Sequence, residues 1–526
     1  MNWQQLLAII FGLALLFGIA ACSDDDDAGD DSGPAADDDS QVDDDAIDDD
    51  VADDDAADDD TADDDTTDDD TVDDDTVDDD TVDDDTVDDD TGEYWEPSTV
   101  VPVDVYPEIR GLTVQRGIIH LHSVYSHDGC DNRPFINGHP NWECLEQLRT
   151  AMCTTKQNFI MLTDHDDPFS YYEFPDVLLY QEENGDELIY DGEAPIANII
   201  HCPDDSQVIL TAGNENDVMP IHLERMPDGT PEERMAVLGS SDVDSINTMY
   251  DLGATVYVNH AEQWEAPDLL ALPIHGMEVY NLHANILPED TLPLIENILN
   301  ILAFIFPYAG SGDSDLVLLS FLAESTKALD NFDKVLAERP AVSVMGTDAH
   351  RNSLPFPLWD GDRADSYRRM MRWFANYVLV LEPTLEDYEL AIDDGRMYGA
   401  FQVFGEPVGF DYHAALFESD AEMGETVSLA NDSPGLEVKV PEFYNMDPSL
   451  PPPEFRLTIV KAGADGGTVV AESTDEDLVY VPTSPGAYRA EVHVVPYHLE
   501  KWLGDNADMF LKEYPLIYAN PIYVVD

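Results

Sequence analysis

Positive charge is what this 526-residue sequence has least of: 22 Lys and Arg stand against 114 Asp and Glu. Much of the imbalance is local, since 39 Asp and no Lys or Arg lie between Asp24 and Asp90. The remainder still carries 75 acids against 22 bases. Gripping a nucleic-acid backbone takes many Lys and Arg contacts, so the composition argues against DNA or RNA as a partner. Long apolar runs are also few. One covers residues 6–21. Another, 292–306, is interrupted by Glu296, Asn297 and Asn300, and reads as a buried or lid-like helix, not a membrane span. Cysteine is sparse as well: Cys22 stands apart from Cys130, Cys144, Cys153 and Cys202, and no Cys-x-x-Cys spacing occurs to suggest thiolate metal ligands.

Residues 1–22 begin polar, without Lys or Arg, turn apolar, and end on Ile19-Ala20-Ala21-Cys22. The apolar stretch suits a signal peptide better than a membrane span. Small residues directly before a cysteine resemble the lipobox of bacterial lipoproteins. The resemblance implies signal removal, lipidation at Cys22 and anchoring to a bacterial membrane, on the periplasmic or cell-surface side. An ordinary signal peptide or an uncleaved anchor is the alternative, and each exports the body. In that compartment the four clustered cysteines suit two disulfides, with sequence neighbours paired, or one disulfide and free thiols; spacing alone does not fix the connectivity. From residue 23 to about 104 the chain is Asp-rich spacer and lead-in, with a five-residue period such as Thr76-Val77 followed by three Asp. Dense charge of one sign without aromatics is expected to stay extended and disordered, as a tether. Weak Ca²⁺ binding is the rival reading, but the turn glycine of a defined calcium loop is missing.

Residues 105–404 alternate short apolar runs with amphipathic stretches. Strands are expected at 118–122, 159–163, 208–212, 255–259, 277–280, 342–346 and 377–381, and helices at 142–154, 243–252, 316–337 and 365–375. Such alternation implies an α/β domain of parallel strands wrapped by helices, most simply a barrel. Residues 405–526 change to short alternating runs between turn-rich pieces, the pattern of an appended all-β sandwich.

Chemistry-bearing residues recur where the apolar runs end. The run to Ile119 leads into His120-Leu121-His122, and in an extended strand residues i and i+2 share a face. The loop after them carries Ser126, His127 and Asp128. The run at 159–162 leads into Thr163-Asp164-His165, that at 208–211 into Gly213-Asn214-Glu215, and that at 256–259 into His260. Met277-Glu278-Val279-Tyr280 leads into Asn281, and 342–346 leads into Thr347-Asp348-Ala349-His350. In a βα barrel, residues just past the C-terminal strand ends converge on one mouth. Histidines and carboxylates gathered there form a metal site.

The order of these motifs, His-x-His, Asp-Gly, Thr-Asp-His, Gly-x-Glu, a lone His after a strand and Asp-Ala-His, resembles the polymerase and histidinol phosphatase (PHP) family over about residues 111–400. The resemblance implies a distorted (β/α)7 TIM-like barrel, two or three divalent ions and phosphoester hydrolysis. It implies His120, His122, Asp128, His165, Glu215, His260, Asp348 and His350 as ligands, with His127 the rival to Asp128, and Glu278 or Asn281 as a further ligand. A set of imidazoles and carboxylates suits Zn²⁺, Mn²⁺ or Fe²⁺ better than Mg²⁺ or Ca²⁺. Glu215 is the candidate bridging carboxylate. His120, His122, Glu215, Asp348 and Arg351 are the candidate catalytic residues. Arg351, directly after His350, either holds phosphate oxygens or is a surface arginine. Arg363, Arg368, Arg369 and Arg372 read as a solvated helix face paired to local acids.

The expected function is a metal-dependent phosphoesterase that hydrolyses a small phosphate mono- or diester with ion-activated water. Long polyanions would meet repulsion from the acidic surface. The same centre would also serve hydrolysis of a carboxylic ester, amide or carbamate. A non-catalytic surface binding module is the third reading. Nothing in the sequence sets an oligomeric state.

Overall fold

Strand β1 (Thr113–Leu121) is the axis of the structure, and its second half is buried throughout. That is expected of a strand with parallel neighbours on both sides. Gly117 makes one of those contacts possible, because a Cβ there would lie 2.3 Å from the Phe159 carbonyl oxygen. The computed structural model describes residues 94–286, 291–305, 310–417, 419–431 and 433–526. The signal segment, Cys22 and the Asp-rich spacer up to residue 93 lie outside the described residues.

The described chain is a mixed α/β structure built on a 17-stranded sheet. After β1 come β2 (Phe159–Met161), β3 (Gln207–Thr211), β4 (Met219–Ile221), β5 (Thr255–Val258), β6 (Gly276–Asn281), β7 (Val342–Ala349), β8 (Ala375–Val380) and β9 (Met397–Ala400). β1 pairs in parallel with β2 and β7. β2 pairs in parallel with β3, β7 with β6, and β6 with β5. β4 runs antiparallel to β5, and an antiparallel bridge joins Leu223, just past β4, to Ala212, just past β3. The run β3-β2-β1-β7-β6-β5-β4 is thereby linked at its two ends.

Between these strands lie α1 (Trp142–Thr154), α2 (Val243–Asp251), α3 (Leu282–Ile286), α4 (Thr291–Ile305), α5 (Thr326–Leu336) and α6 (Tyr367–Trp373). Side-chain caps explain several starts. Asn141 accepts from the Cys144 N–H, Asp242 from those of Asp244 and Ser245, and Ser366 from that of Arg369. The helix expected over 316–337 is two elements: a 3₁₀ segment, Ser314–Ser320, then α5 after a break at Phe321 to Ser325. Asn285 holds that break open by donating to the Ala323 carbonyl at 3.0 Å. Among the described residues no helix is long and apolar enough to cross a membrane.

The sheet continues through the antiparallel pairs β1–β8 and β8–β9 into the C-terminal strands. These are β10 (Glu454–Lys461), β11 (Gly486–Val495), β12 (Tyr514–Ala519) and β13 (Ile522–Val525), with β12 antiparallel to β9. A separate three-stranded antiparallel sheet, Asp411–Ala415, Gly435–Lys439 and Leu478–Tyr480, is tied to β11 by the Tyr412 hydroxyl, which donates to the Tyr488 carbonyl at 2.7 Å. Two disulfides, Cys130–Cys144 and Cys153–Cys202, brace the region around α1. The arginine helix is paired to acids, as its sequence suggests, but it is not a solvated face. Arg368, Arg369 and Arg372 converge on Asp315, and Arg369 is buried.

Candidate metal centre

β1 brings its two histidines to one point by a route the i, i+2 rule does not describe. The register with β7 shifts between Ile119 and Leu121, and His120 takes a left-handed φ of 66° at the shift. A bulge of this kind re-aims a side chain at a strand end. His260 (φ 45°), Asp348 (φ 50°) and Arg351 (φ 59°) share the left-handed region, which non-glycine residues enter at an energetic cost and mostly at functional sites.

Five strand ends then converge. His120 Nε2 and His122 Nε2 each lie 2.9 Å from Glu215 Oε2 and 3.3 Å from Asp348 Oδ1. His260 Nε2 lies 3.3 Å from Glu215 Oε1 and 3.2 Å from Asp348 Oδ2. On the other side His350 Nε2 lies 2.9 Å from Asp128 Oδ2, which His165 Nε2 also faces at 3.6 Å. Glu215 faces four of the five imidazoles, from its place where Asn214–Glu215 pairs in parallel with Asp164–His165.

A single pattern governs all five rings. His120 Nδ1 meets Glu278 Oε1 at 2.5 Å, His122 Nδ1 meets Ser126 Oγ at 3.2 Å, and His165 Nδ1 meets the Glu215 carbonyl at 2.9 Å. His260 Nδ1 meets Glu262 Oε1 at 3.2 Å, and His350 Nδ1 meets the Asp348 carbonyl at 3.0 Å. Each Nδ1 therefore donates outward to an acceptor. That choice of tautomer leaves each Nε2 lone pair pointing inward, the arrangement by which outer partners orient metal-binding imidazoles. The inward atoms are also without hydrogen bonds: His120 Nε2, His122 Nε2, His350 Nε2 and Asp348 Oδ1 are buried and unpartnered. Buried polar atoms without partners are costly, so their convergence calls for a ligand. His122 and His350 stack at 3.7 Å between centroids. Donor atoms of His120, His122, Glu215 and Asp348, and of His122, His165, Glu215 and His350, come close enough together to hold metal ions. The chain fits a divalent metal centre.

The electrostatics point the same way. Burial would raise the Glu215 and Asp348 carboxyls, but the facing histidines outweigh it and hold both well below the usual range. Burial pulls His120 down, yet Glu215, Glu278 and Asp348 overcompensate and raise it well above its ordinary value. The cluster thus holds ionised carboxylates and a strong demand for positive charge, which divalent ions satisfy without protons.

Asp128 lies in the cluster; His127 is exposed and only packs its ring 5.0 Å from that of His165. Ser126 directly precedes both in the loop. Its hydroxyl donates to Asp128 Oδ1 at 2.6 Å while accepting from His122, which fixes the carboxylate inward. Glu278 and Asn281 stand behind the inward-facing atoms. Glu278 accepts from His120 Nδ1 and from the His260 N–H, and Asn281 Nδ2 donates to Glu278 and Asp348. Arg351 has a buried, unpartnered Nε, and its nearest carboxylate is Asp131 at 4.0 Å. His283 is the residue that sequence reasoning missed. It is the second residue of α3, two positions past the end of β6, with Nδ1 3.3 Å from Asp348 Oδ2 and Nε2 buried without a partner. It groups with Asp348 and His350 as a further possible ion site. Extending the strand-end search by two residues at Asn281 would have found it.

No family model and no curated protein matches the chain. Among solved structures it is similar to a two-domain protein from Bacteroides vulgatus containing a predicted PHP-like metal-dependent phosphoesterase. That match has 13% identity and a TM-score of 0.31, over 80% of this chain and 99% of that one. It is also similar to PsfC from Pseudomonas syringae, at 12% identity and a TM-score of 0.29, over 55% of this chain and 92% of that one. Scores this low carry no argument, so the reading below rests on the residues of this chain.

Proposed function

We propose that the protein is a metal-dependent phosphoesterase acting on a small phosphate mono- or diester. We read the linked run of seven strands as the distorted (β/α)7 barrel of the PHP type and residues 405–526 as its β-sandwich partner. The observation that carries the proposal is the set of five imidazoles with Nδ1 tied outward and Nε2 converging on Glu215, Asp348 and Asp128. Two or three Zn²⁺, Mn²⁺ or Fe²⁺ ions held there would supply Lewis acidity and water acidified to near-neutral pKa. The protein's own part is to fix the ligands: Glu278 orients His120, Ser126 couples His122 to Asp128, and Asn259 Nδ2 donates to Glu215 Oε1 at 2.5 Å. Arg351 favours phosphate over a neutral ester or carbamate, since a half-buried guanidinium with a free Nε, next in sequence to His350, is suited to an anion's oxygens.

The acid-rich composition favours a small substrate over nucleic acid, and Cys22 is proposed as the lipid anchor of an exported chain. The test is an assay of the full chain with Mn²⁺ or Zn²⁺ against phosphate mono- and diesters, a carboxylic ester and a carbamate. Turnover confined to phosphates supports the reading, and turnover of the carbamate alone replaces phosphate with another bond. Absence of any turnover by ion-loaded protein would favour a binding module.

A further inference from the structure

A second cluster lies where the segment before α5 meets the C-terminal strands. Glu491 and His493 sit two apart on β11, so they share a face. Glu324, from the break between the 3₁₀ segment and α5, approaches that face with Oε1 3.7 Å from His493 Nε2. Donor atoms of the three residues lie within 4.8 Å of one another. Buried polar atoms without partners again mark the place. His493 is 7% exposed, and its Nδ1 has no hydrogen bond. Tyr518 is directly opposite Glu491 in the antiparallel pair of β11 and β12, is 3% exposed, and its hydroxyl has no partner. On the other flank Thr458, opposite Glu491 in the pair of β10 and β11, is fully buried with an unpartnered hydroxyl. Opposite residues of an antiparallel pair share a face, so both hydroxyls flank the carboxylate of Glu491.

The charge is unbalanced. Arg489 donates to both oxygens of Asp333 at 2.8 Å and also contacts Glu491 Oε1. One guanidinium therefore serves two buried carboxylates, with Glu324 in addition. Asp333 and Glu491 together exceed Arg489 by one buried negative charge, and Glu324 adds another carboxylate from the solvent side. Buried charges are tolerated only when paired or metal-bound.

We propose that Glu324, Glu491 and His493 form a second divalent-cation site of the zinc class, separate from the centre at the strand ends. Two carboxylates and one imidazole suit Zn²⁺ or Mn²⁺ better than an all-oxygen ion. The half-exposed Glu324 side chain leaves a route from solvent. The bound ion clamps the segment before α5 to β11. Asn285 of α3, the helix that presents His283, bonds to Ala323 beside this clamp.

The test is a count of tightly retained Zn²⁺ on the full chain after dialysis, with Zn²⁺ as the probe, for wild type, Glu324→Gln and His493→Gln. Weak binding along the Asp-rich segment is common to all three and cancels in the difference. Each variant is expected to hold one equivalent fewer than wild type. An Asp348→Asn chain is expected to keep the equivalent that these variants lose, whatever its activity. Because Glu324 is half exposed, its substitution does not threaten folding. Equal Zn²⁺ counts in wild type and Glu324→Gln would overturn the proposal.

Discussion

Gly346 and Glu278 share one small volume: a Cβ on residue 346 would lie 1.8 Å from Glu278 Oε1 and 2.9 Å from His120 Nδ1. The bare backbone of β7 at this point lets Glu278 close onto His120 from the neighbouring strand. Replacing Glu278 with Gln keeps the size but offers an amide N–H to His120 Nδ1, which pushes the imidazole proton to Nε2 and aims it at the centre. Loss of such an outer partner typically costs about 10–100-fold in metal affinity. Glu278→Gln is expected to weaken Zn²⁺ or Mn²⁺ binding by that factor in a chelator competition. Gly346→Ala should do the same and in addition lower stability by about 1–3 kcal/mol through overpacking. Unchanged affinity in Glu278→Gln would show that the contact does not orient His120.

His283 and His127 make a matched pair for a second test. His283 faces Asp348 from within the cluster, whereas His127 is exposed at its edge. His283→Ala is expected to lower the number of ions retained and the rate by at least ~10-fold, while His127→Ala leaves both within a factor of about two. The opposite ranking, measured by elemental analysis of the dialysed proteins, would move the third ligand of the first loop from Asp128 to His127.

Much of this arrangement is legible in the sequence because apolar runs and ligand-type residues abut. The runs ahead of His165 and His260 form strands that end at Met161 and Val258, just short of each histidine, and the run at 342–346 continues as a strand through Asp348 to Ala349. What stayed hidden has local causes. β4 is three residues long with a proline at its centre, and β9 contains a glycine, so neither carries a strand signature. The left-handed turns at His120, His260 and Asp348 leave no mark in residue type, because the surrounding structure imposes them. The inward placement of the Asp128 carboxylate depends on the hydroxyl of Ser126, a three-dimensional relay to His122. The continuity of the sheet from β9 into β12 joins residues more than a hundred positions apart, beyond any local pattern.

A pH effect on stability is expected far from the centre. Burial, with repulsion from Asp393, Glu224 and Glu386, pushes the Glu389 carboxyl up to about 7, against 4.5 in the unfolded chain. His222 Nδ1 lies 3.7 Å away, but burial lowers its pKa, so it brings no compensating charge. Between pH 4.5 and 7 the folded state holds a proton that the unfolded state has lost. The contribution of Glu389 is therefore fully present below pH 4.5 and is lost as pH rises through 7. Glu389→Gln mimics the protonated form and should be more stable than wild type at pH 8 by about 2 kcal/mol, allowing for partial exposure, with no difference at pH 4. Denaturant unfolding at the two pH values measures it, and equal stabilities at pH 8 would refute the shift.

The two disulfides should separate stability from ion retention. Cys130 is held on both sides, by its bond to Cys144 at the start of α1 and by its N–H, which donates to the His350 carbonyl at 2.9 Å. Two residues earlier the same loop presents Asp128 to His350. Cys153–Cys202 closes a longer loop, with a sequence separation of 49 against 14, and neither cysteine adjoins a ligand. By loop-closure entropy the longer loop is worth about 4 kcal/mol and the shorter about 3 kcal/mol. Removing the longer bridge with Cys153→Ser and Cys202→Ser should thus cost slightly more stability. Removing the shorter one with Cys130→Ser and Cys144→Ser should cost more in ion retention, because the loop carrying Asp128 loses its anchor. Unfolding curves with bound ions, together with chelator-driven ion loss from the folded proteins, give the two rankings. Equal rates of ion loss from both double variants would show that the Cys130–Cys144 bridge plays no part in holding the centre.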